Sequence, residues 1–228
     1  MKKYELTEET KTLADGTVLH RIRALRDISR YGVKSGELGG WIEKENNLSQ
    51  DGDAFVCGDA KVYGNACVYD NALVFCNAWV FDTAKVYGDA KVCGNAWVCD
   101  DAWVYGNAWV YGNAWAYGDS KVYGNAWVSG VAEVSGDAEV SGDADVSDDA
   151  RICGKADYMT FKNSWSSGRW FTYTRSNKKW KVGRFYGTGE ELINKAYEDS
   201  VVSGKCYEAI VRAVETIEAA KAEVEVEK

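Results

Sequence analysis

The chain has 228 residues, of which 46% are hydrophobic and 27% charged, and its formal net charge is −8. This balance is typical of a folded globular protein and excludes a disordered chain. No apolar run approaches the roughly 18 residues of a membrane-spanning helix, and the N-terminus lacks the apolar core of a secretion signal, which predicts a cytoplasmic protein. A single histidine excludes a three-histidine zinc enzyme, and seven cysteines without a Cys-x-x-Cys motif predict reduced thiols.

The N-terminal segment, residues 1–47, predicts a β-rich cap. Residues 4–6 and 18–25 alternate as a strand pair around the Asp15-Gly16 turn. Ile42 and Leu48 keep step with the alanine register of the repeat that follows, as a degenerate coil. Because an open end of a repeat array exposes unpaired strand edges, we expect this segment to cover that end.

A six-residue repeat fills the middle of the chain, residues 48–159. Alanine recurs at every sixth position from Ala54 to Ala156, with Ser120 as the single departure, and valine follows two residues after nearly every alanine. Two residues further on comes glycine or aspartate in nearly every unit. The unit reads Val-Tyr-Gly-Asn-Ala-Trp.

This repeat predicts short strands joined by corners. Alternation places Ala and Val on a buried face, while Gly, Asn and Asp tolerate the left-handed backbone of a turn. Three strands and three corners close a triangle, so about six coils follow one another, with equivalent strands paired about 4.8 Å apart. The chain contains no proline. That absence fits, because proline cannot donate to a ladder in which every strand is central.

The repeat resembles that of the hexapeptide-repeat proteins, whose fold is a left-handed parallel β-helix. The motifs YELT (residues 4–7), LHRIRALRD (19–27) and GGWIE (39–43) are similar to the N-terminal part of bacterial and phage-borne proteins of this kind, some of which carry a transferase label. The resemblance implies the handedness, which the period alone does not fix. The predicted fold class is mainly β, namely a left-handed parallel β-helix with an N-terminal β cap and a small C-terminal α+β module.

Side chains one coil apart stack on each other, so the repeat sorts its outward residues onto three faces. The first face carries Lys61, Trp79, Trp97, Trp115, Glu133 and Arg151, with Tyr63, Phe81, Cys99 and Tyr117 alongside. The second face carries Phe55, Leu73, Lys91, Trp109, Trp127 and Asp145. The third face carries Cys67, Lys85, Trp103, Lys121, Glu139 and Asp157.

The aromatic side chains on these faces predict a contact surface, since exposed apolar patches above a few hundred Å² are usually interfaces. We expect the three indoles of the first face to be hydrophobic anchors. The partner-binding residues predicted from the sequence are Trp79, Trp97, Trp115, Trp103, Trp109 and Trp127. The alternative is stacking that only stabilises the sheets, by about 0.2 to 1 kcal/mol per pair.

The coils near the end of the repeat carry an acidic band. Its members are Glu133, Asp137, Glu139, Asp143, Asp145, Asp148 and Asp149. By count, residues 52–159 carry six positive and sixteen negative groups, a net charge of −10. Such a band is usually a solvated surface, but regularly spaced carboxylates on a rod also suit a mimic of DNA that occupies the basic groove of an enzyme.

The C-terminal module, residues 160–228, predicts a hairpin and two helices. Two aromatic strands within residues 169–186 flank Ser176-Asn177-Lys178, and a capping-box pattern at Thr188 opens a helix to about residue 199. A second helix is expected over residues 205–222, with Ile210, Val211, Val214 and Ile217 on one face and residues 223–228 frayed.

The hairpin is basic, without an acidic residue. Its cations are Arg169, Arg175, Lys178, Lys179, Lys181 and Arg184. Basic groups interleaved with aromatic side chains predict a contact with nucleic acid or a nucleotide phosphate. Docking of the hairpin on the acidic coils is the alternative.

The residues favour a binding protein over an enzyme. The resemblance implies that an acyltransferase takes a histidine base from a coil and holds coenzyme A with an inserted loop, yet the register has no insertion and His20 lies in the N-terminal segment. Four cysteines in Tyr or Ser positions lack a partner base: Cys57, Cys93, Cys99 and Cys153. We predict no catalytic residue, cofactor or metal site.

The predicted function is therefore non-enzymatic: a scaffold that presents a rigid aromatic surface for oligomerisation, as a homotrimer, or for capture of a protein partner. A phage-encoded inhibitor of a host enzyme fits the resemblance. An acyltransferase, and an acidic DNA mimic or nucleic-acid-binding protein, are the alternatives.

Overall fold

The computed structural model describes residues 2–165 and 167–226 and is mainly β. A β-solenoid of about six stacked coils forms the middle of the chain, and a small antiparallel sheet and two helices follow it. The fold class predicted from the six-residue repeat is confirmed at this level.

The N-terminal segment joins the first sheet of the solenoid edge to edge. Strand β1 (Tyr4–Thr12) is antiparallel to β2 (Val18–Ala24), which is antiparallel to β3 (Leu38–Ile42). Short 3-10 helices cover Ser29–Tyr31 and Glu45–Asn47. Strand β3 then runs parallel to the first solenoid strand, with Trp41 opposite Lys61, and Leu48 forms a parallel bridge to Val68. The predicted strand pair is confirmed. The predicted alanine register of Ile42 and Leu48 is wrong, because they lie opposite Val62 and Val68 and so take valine positions.

The solenoid consists of two-residue strands separated by corners. They are β4 (Phe55–Val56), β5 (Lys61–Val62), β6 (Cys67–Val68), β7 (Leu73–Val74), β8 (Trp79–Val80), β9 (Lys85–Val86), β10 (Lys91–Val92), β11 (Trp97–Val98), β12 (Trp103–Val104), β13 (Trp109–Val110), β14 (Trp115–Ala116), β15 (Lys121–Val122), β16 (Trp127–Val128), β17 (Glu133–Val134), β18 (Glu139–Val140), β19 (Asp145–Val146) and β20 (Arg151–Ile152). Every third strand joins the same parallel sheet, which gives three flat sides.

The strand register is the one that the repeat predicts. Trp97 lies opposite Trp79 in one neighbouring coil and opposite Trp115 in the other. The N–H of Trp97 donates to the carbonyl oxygen of Ala114 at 3.0 Å, and the same bond recurs from coil to coil. Parallel pairing without a shift therefore aligns each outward residue with its equivalents.

Alanine and valine fill the inside of the tube, as predicted, although Ala156, at the end of the predicted alanine file, is exposed. Inward residues such as Val98 and Val110 have 0% exposure. The corners use a left-handed backbone, with φ of 71° at Gly94 and 54° at Asp100. Small and aliphatic residues thus set the width of the tube, while the corner residues set its direction.

The third face ends earlier than the repeat predicts. Its sheet stops at β18, and Asp157 does not extend it. The Asp157 carboxylate instead accepts hydrogen bonds from the N–H groups of Cys153 at 2.7 Å and Gly154 at 2.9 Å. The chain leaves the solenoid at Tyr158, so the sequence prediction that places Asp157 in the outward file of the third face is wrong.

The C-terminal sheet has four antiparallel strands, β21 (Tyr158–Lys162), β22 (Trp170–Thr174), β23 (Lys179–Val182) and β24 (Phe185–Gly187). The predicted hairpin corresponds to β22 and β23, with Thr174 opposite Lys179. The first strand, β21, spans residue 159, where the sequence analysis placed a domain boundary.

Two helices complete the module, α1 (Gly189–Asp199) and α2 (Val201–Val226). Thr188 caps α1 as predicted, accepting from the N–H of Glu191 at 3.3 Å. Helix α2 begins at Val201, before the predicted start at residue 205, and so includes Gly204. A Cβ at Gly204 would come 2.2 Å from the Tyr197 ring. This glycine permits close helix contact and does not break the helix.

Helix α2 also continues to Val226, into the segment predicted to fray, whose last residues, 227 and 228, lie outside the described ones. Of its predicted buried face, Val211 and Val214 are buried, whereas Ile217 is 41% exposed. Val211 and Val214 pack with aromatic residues of the sheet, including Phe171 and Trp180. In the described part of the chain, no helix combines the length and apolar character needed to cross a membrane.

Candidate interaction surface

Three stacked indoles form the centre of the first face. The ring centroids of Trp79 and Trp97 are 5.5 Å apart, and those of Trp97 and Trp115 are 5.0 Å apart. A second column beside them begins with Tyr63 and Phe81, stacked at 5.2 Å. Trp115, at the end of its column, is 42% exposed. The parallel register therefore makes a continuous aromatic stripe along one flat side.

The remaining predicted tryptophans lie on the other two faces. Trp109 and Trp127 stack at 5.8 Å on the second face, and Trp127 is 45% exposed. Trp103 is the one indole of the third face. The six predicted partner-binding residues thus belong to three separate surfaces, and the first face has the longest column.

A lysine precedes each indole column, a feature that the sequence analysis missed. The ammonium groups of Lys61, Lys91 and Lys85 lie 4.4 to 4.6 Å from the ring centroids of Trp79, Trp109 and Trp103. These are cation–π contacts. Each lysine stands one coil before its tryptophan, so the repeat period contains the signal. Such contacts occupy the ring face at the start of each column.

The third face carries a column of four tyrosines that the sequence analysis also missed. Tyr69, Tyr87, Tyr105 and Tyr123 stack at 4.8 to 4.9 Å with nearly parallel rings. Burial raises the pKa of Tyr69 to about 12. Beside this column, Trp103 has Lys85 over one side and Lys121 at 5.9 Å. Its ring faces are occupied within the chain, so the third face is the least suited to a stacked ligand.

The six basic residues of the hairpin are divided between internal contacts and solvent. Arg175 pairs with Glu218 of α2 at 2.7 Å, and Lys181 lies 4.0 Å from Asp145 of the last coils. Lys178 lies in the turn with φ of 54°, and Lys179 lies in β23. Arg169 and Arg184 line a groove of about 820 Å³ on the sheet. Docking on the acidic coils therefore uses Lys181, not the whole set.

Hydroxyl groups join the C-terminal sheet and its turn to the last strand of each face. The N–H groups of Ser141, Asp145 and Arg151 donate to the hydroxyl oxygens of Tyr158 at 3.1 Å, Thr172 at 2.9 Å and Ser176 at 2.8 Å. These three donors would otherwise lack a strand partner. The C-terminal module thereby occupies the position of a further coil.

Part of the acidic band is paired or hydrogen-bonded within the chain. Glu133 pairs with Arg151 at 3.4 Å, and Glu139 pairs with Lys155 at 3.0 Å. The Asp149 carboxylate accepts from Asn177 at 2.9 Å and from the Tyr186 hydroxyl at 3.1 Å. A band with these partners presents less free charge than the sequence suggests, which weakens the comparison with DNA.

The nucleophile candidates of the chain are not activated. His20 lies in β2, with its Nδ1 3.3 Å from the Thr7 carbonyl oxygen. Burial raises the pKa of Cys57 and Cys93 to about 11. Burial, with Asp100 and Asp82 nearby, raises the pKa of Cys99 to about 12. A raised pKa disfavours the thiolate form that a nucleophilic cysteine needs.

No protein-family model matches the chain, and no curated protein shows a significant match to it. The function therefore has to be argued from the surfaces of the molecule.

Proposed function

We propose that the chain is a non-enzymatic scaffold of the hexapeptide-repeat class, with a left-handed coil and an N-terminal cap. In this proposal its first face holds a second copy of the chain, and three copies close into a ring. The observation that carries it is the aromatic stripe of Trp79, Trp97 and Trp115, which ends in a half-exposed indole. Aromatic anchors of this kind dominate the energetics of protein interfaces.

Two features favour a second copy as the occupant. The rise from coil to coil is the same in every copy, so each indole of one stripe meets an equivalent position at the same height on another. The ends of the tube are joined to the N-terminal segment and to the C-terminal sheet, so self-association is directed to the sides. A closed symmetric ring leaves no stripe uncovered.

The other predicted functions have less support. The acyltransferase alternative lacks a histidine in the coils and an inserted loop between them. Inhibition of a host enzyme by a phage-encoded protein rests on the resemblance alone. A heterologous protein partner remains the alternative for the same stripe, and it differs from self-association in leaving the purified chain monomeric.

The double variant Trp97→Ala/Trp115→Ala tests the proposal. Light scattering is expected to give three times the 25.2 kDa chain mass for the wild type and one chain mass for the variant. Each anchor tryptophan is expected to contribute about 2 kcal/mol or more to the interface. The matched control Trp103→Ala/Trp109→Ala removes the same chemistry from the other faces and is expected to keep the wild-type mass. A monomeric wild type, or a first-face variant of unchanged mass, contradicts self-association.

A further inference from the structure

A cleft opens where the second face of the solenoid meets the C-terminal sheet. Its volume is about 390 Å³. The solenoid side contributes Trp127, Asp143 and Asp145, and the sheet side contributes Arg169 and Trp170. Sites for small ligands occupy about 300 to 1,000 Å³ and combine aromatic walls with a few polar groups. The size and lining of this cleft match that description.

Trp127 presents an open ring face to this cleft. One side of its indole stacks on Trp109 at 5.8 Å, and the residue opposite in the next coil is Asp145, which supplies no ring. Trp97, by comparison, lies between two indoles, and Trp103 lies between two lysines. An exposed indole face at the end of a column is a platform on which a planar ring can stack.

The polar groups around Trp127 suit the edge of a nucleobase. Asp143 is half-buried and accepts a hydrogen bond from the Asn125 amide at 3.1 Å, and its carboxylate keeps further acceptor capacity. Carboxylates accept from the exocyclic amino group of cytosine in nucleic-acid recognition. Asp145 is held differently, at 4.0 Å from Lys181. Among the described residues Asp143 forms no ion pair, so its carboxylate is an available acceptor in the lining of the cleft.

Arg169 connects the cleft to a basic groove. Arg169 and Gly183 line the cleft and also the adjoining groove of about 820 Å³, whose other charged residues are Arg184, Lys195 and Asp199. Lys195 pairs with Glu198 at 2.7 Å. Within the described residues, neither Arg169 nor Arg184 forms an ion pair. Two free guanidinium groups beside an aromatic platform suit a phosphate group.

We propose that this junction binds a nucleotide unit, with its base on Trp127, its amino group toward Asp143 and its phosphate at Arg169 and Arg184. The site is independent of the first face and goes beyond the scaffold function. A free mononucleotide and a single strand of nucleic acid both present this unit. The two sources are separated by the probes of the experiment.

The full-length chain is titrated with cytidine monophosphate by calorimetry and with a labelled single-stranded oligocytidylate of about 15 nucleotides by fluorescence anisotropy at low salt. Trp127→Ala is expected to weaken binding by about 5- to 150-fold, the range of base stacking on an aromatic ring. Arg169→Ala and Arg184→Ala are expected to weaken it and to reduce the slope of log K against log salt by about 0.7 each.

Two control variants match these changes. Trp115→Ala removes an equally exposed terminal indole from the first face, and Arg23→Ala removes one positive charge from the N-terminal segment. Both are expected to bind as the wild type does. Binding of the mononucleotide identifies a small-molecule site, and binding of the oligonucleotide alone identifies a nucleic-acid site; either outcome supports the proposal.

A nuclear magnetic resonance spectrum of the wild-type chain tests the proposal without any substitution that could impair folding. The indole N–H resonance of Trp127 is expected to shift on addition of the bound probe, while that of Trp115 stays in place. Failure of both probes to bind, equal losses in Trp115→Ala or Arg23→Ala, or binding without a shift at Trp127 overturns the proposal. A monomeric wild-type chain, which contradicts self-association, leaves these outcomes unchanged.

Discussion

Replacing Val110 by aspartate is expected to lower the free energy of unfolding by more than about 4 kcal/mol and to prevent folding, because the carboxylate would enter a tube lined by alanine and valine. Val110 has 0% exposure. The total stability of a domain is about 5 to 15 kcal/mol, so a loss of this size removes most of it. Circular dichroism of the purified variant against guanidinium concentration measures the outcome.

Trp109→Asp, one residue earlier in the same strand, is the matched control. Trp109 points outward, where it stacks on Trp127 and lies under Lys91 at 4.4 Å. Loss of these two contacts is expected to cost about 1 to 2.5 kcal/mol, and the variant is expected to fold. Equal losses in the two variants, or a larger loss at Trp109, would mean that the assignment of inward and outward positions is wrong.

Gly94→Val is expected to lower the free energy of unfolding by about 2 to 6 kcal/mol. The backbone at Gly94 has φ of 71°, a region that a β-branched residue avoids, at a cost of about 1 to 3 kcal/mol. A Cβ at this position would also come 2.8 Å from the carbonyl oxygen of Gly112 in the next coil. This overlap with backbone adds about 1 to 3 kcal/mol.

Gly142→Val separates the two contributions. Gly142 has φ of 67° as well, but nothing lies within 4 Å of a Cβ built there. The substitution is therefore expected to lower the free energy of unfolding only by the cost of the left-handed backbone conformation, about 1 to 3 kcal/mol. Denaturant unfolding of both variants gives the difference. A loss at Gly142 as large as that at Gly94 would show that corner conformation, not contact between coils, governs these positions.

The solenoid was predictable because one local rule is repeated along the chain. Inward alanine and valine, a left-handed corner and a fixed period determine the strands, the three sheets and the columns of Trp79, Trp97 and Trp115. Each coil contacts only its neighbours, so no long-range information is needed. The lysine before each indole column follows the same period, so the cation–π contacts were predictable from the repeat as well.

The C-terminal end of the solenoid was harder to predict because tertiary contacts there override the local sequence pattern. At Asp157 the sequence still follows the six-residue pattern, yet the Asp157 carboxylate accepts hydrogen bonds from the backbone N–H groups of Cys153 and Gly154. Gly204 resembles a helix break in sequence and is instead a close contact with Tyr197. In both cases a tertiary partner, absent from the local pattern, decides the structure.

The candidate sites also differ in whether local spacing or distant contacts determine them. The aromatic stripe follows from spacing alone. The division of the basic hairpin does not, because Arg175 and Lys181 find partners on α2 and on the last coils, far away in sequence. Within the described residues, Arg169 and Arg184 are the hairpin arginines without an ion pair, and only the packed structure distinguishes them from Arg175.

Oxidative footprinting of the purified chain compares two indoles that differ mainly in the face they occupy. Trp115 is 42% exposed and Trp127 is 45% exposed in a single copy. If copies associate through the first face, hydroxyl radicals are expected to oxidise Trp115 several times more slowly than Trp127, and Trp97→Ala is expected to bring the two rates together. Equal rates in the wild-type chain would contradict the proposed scaffold.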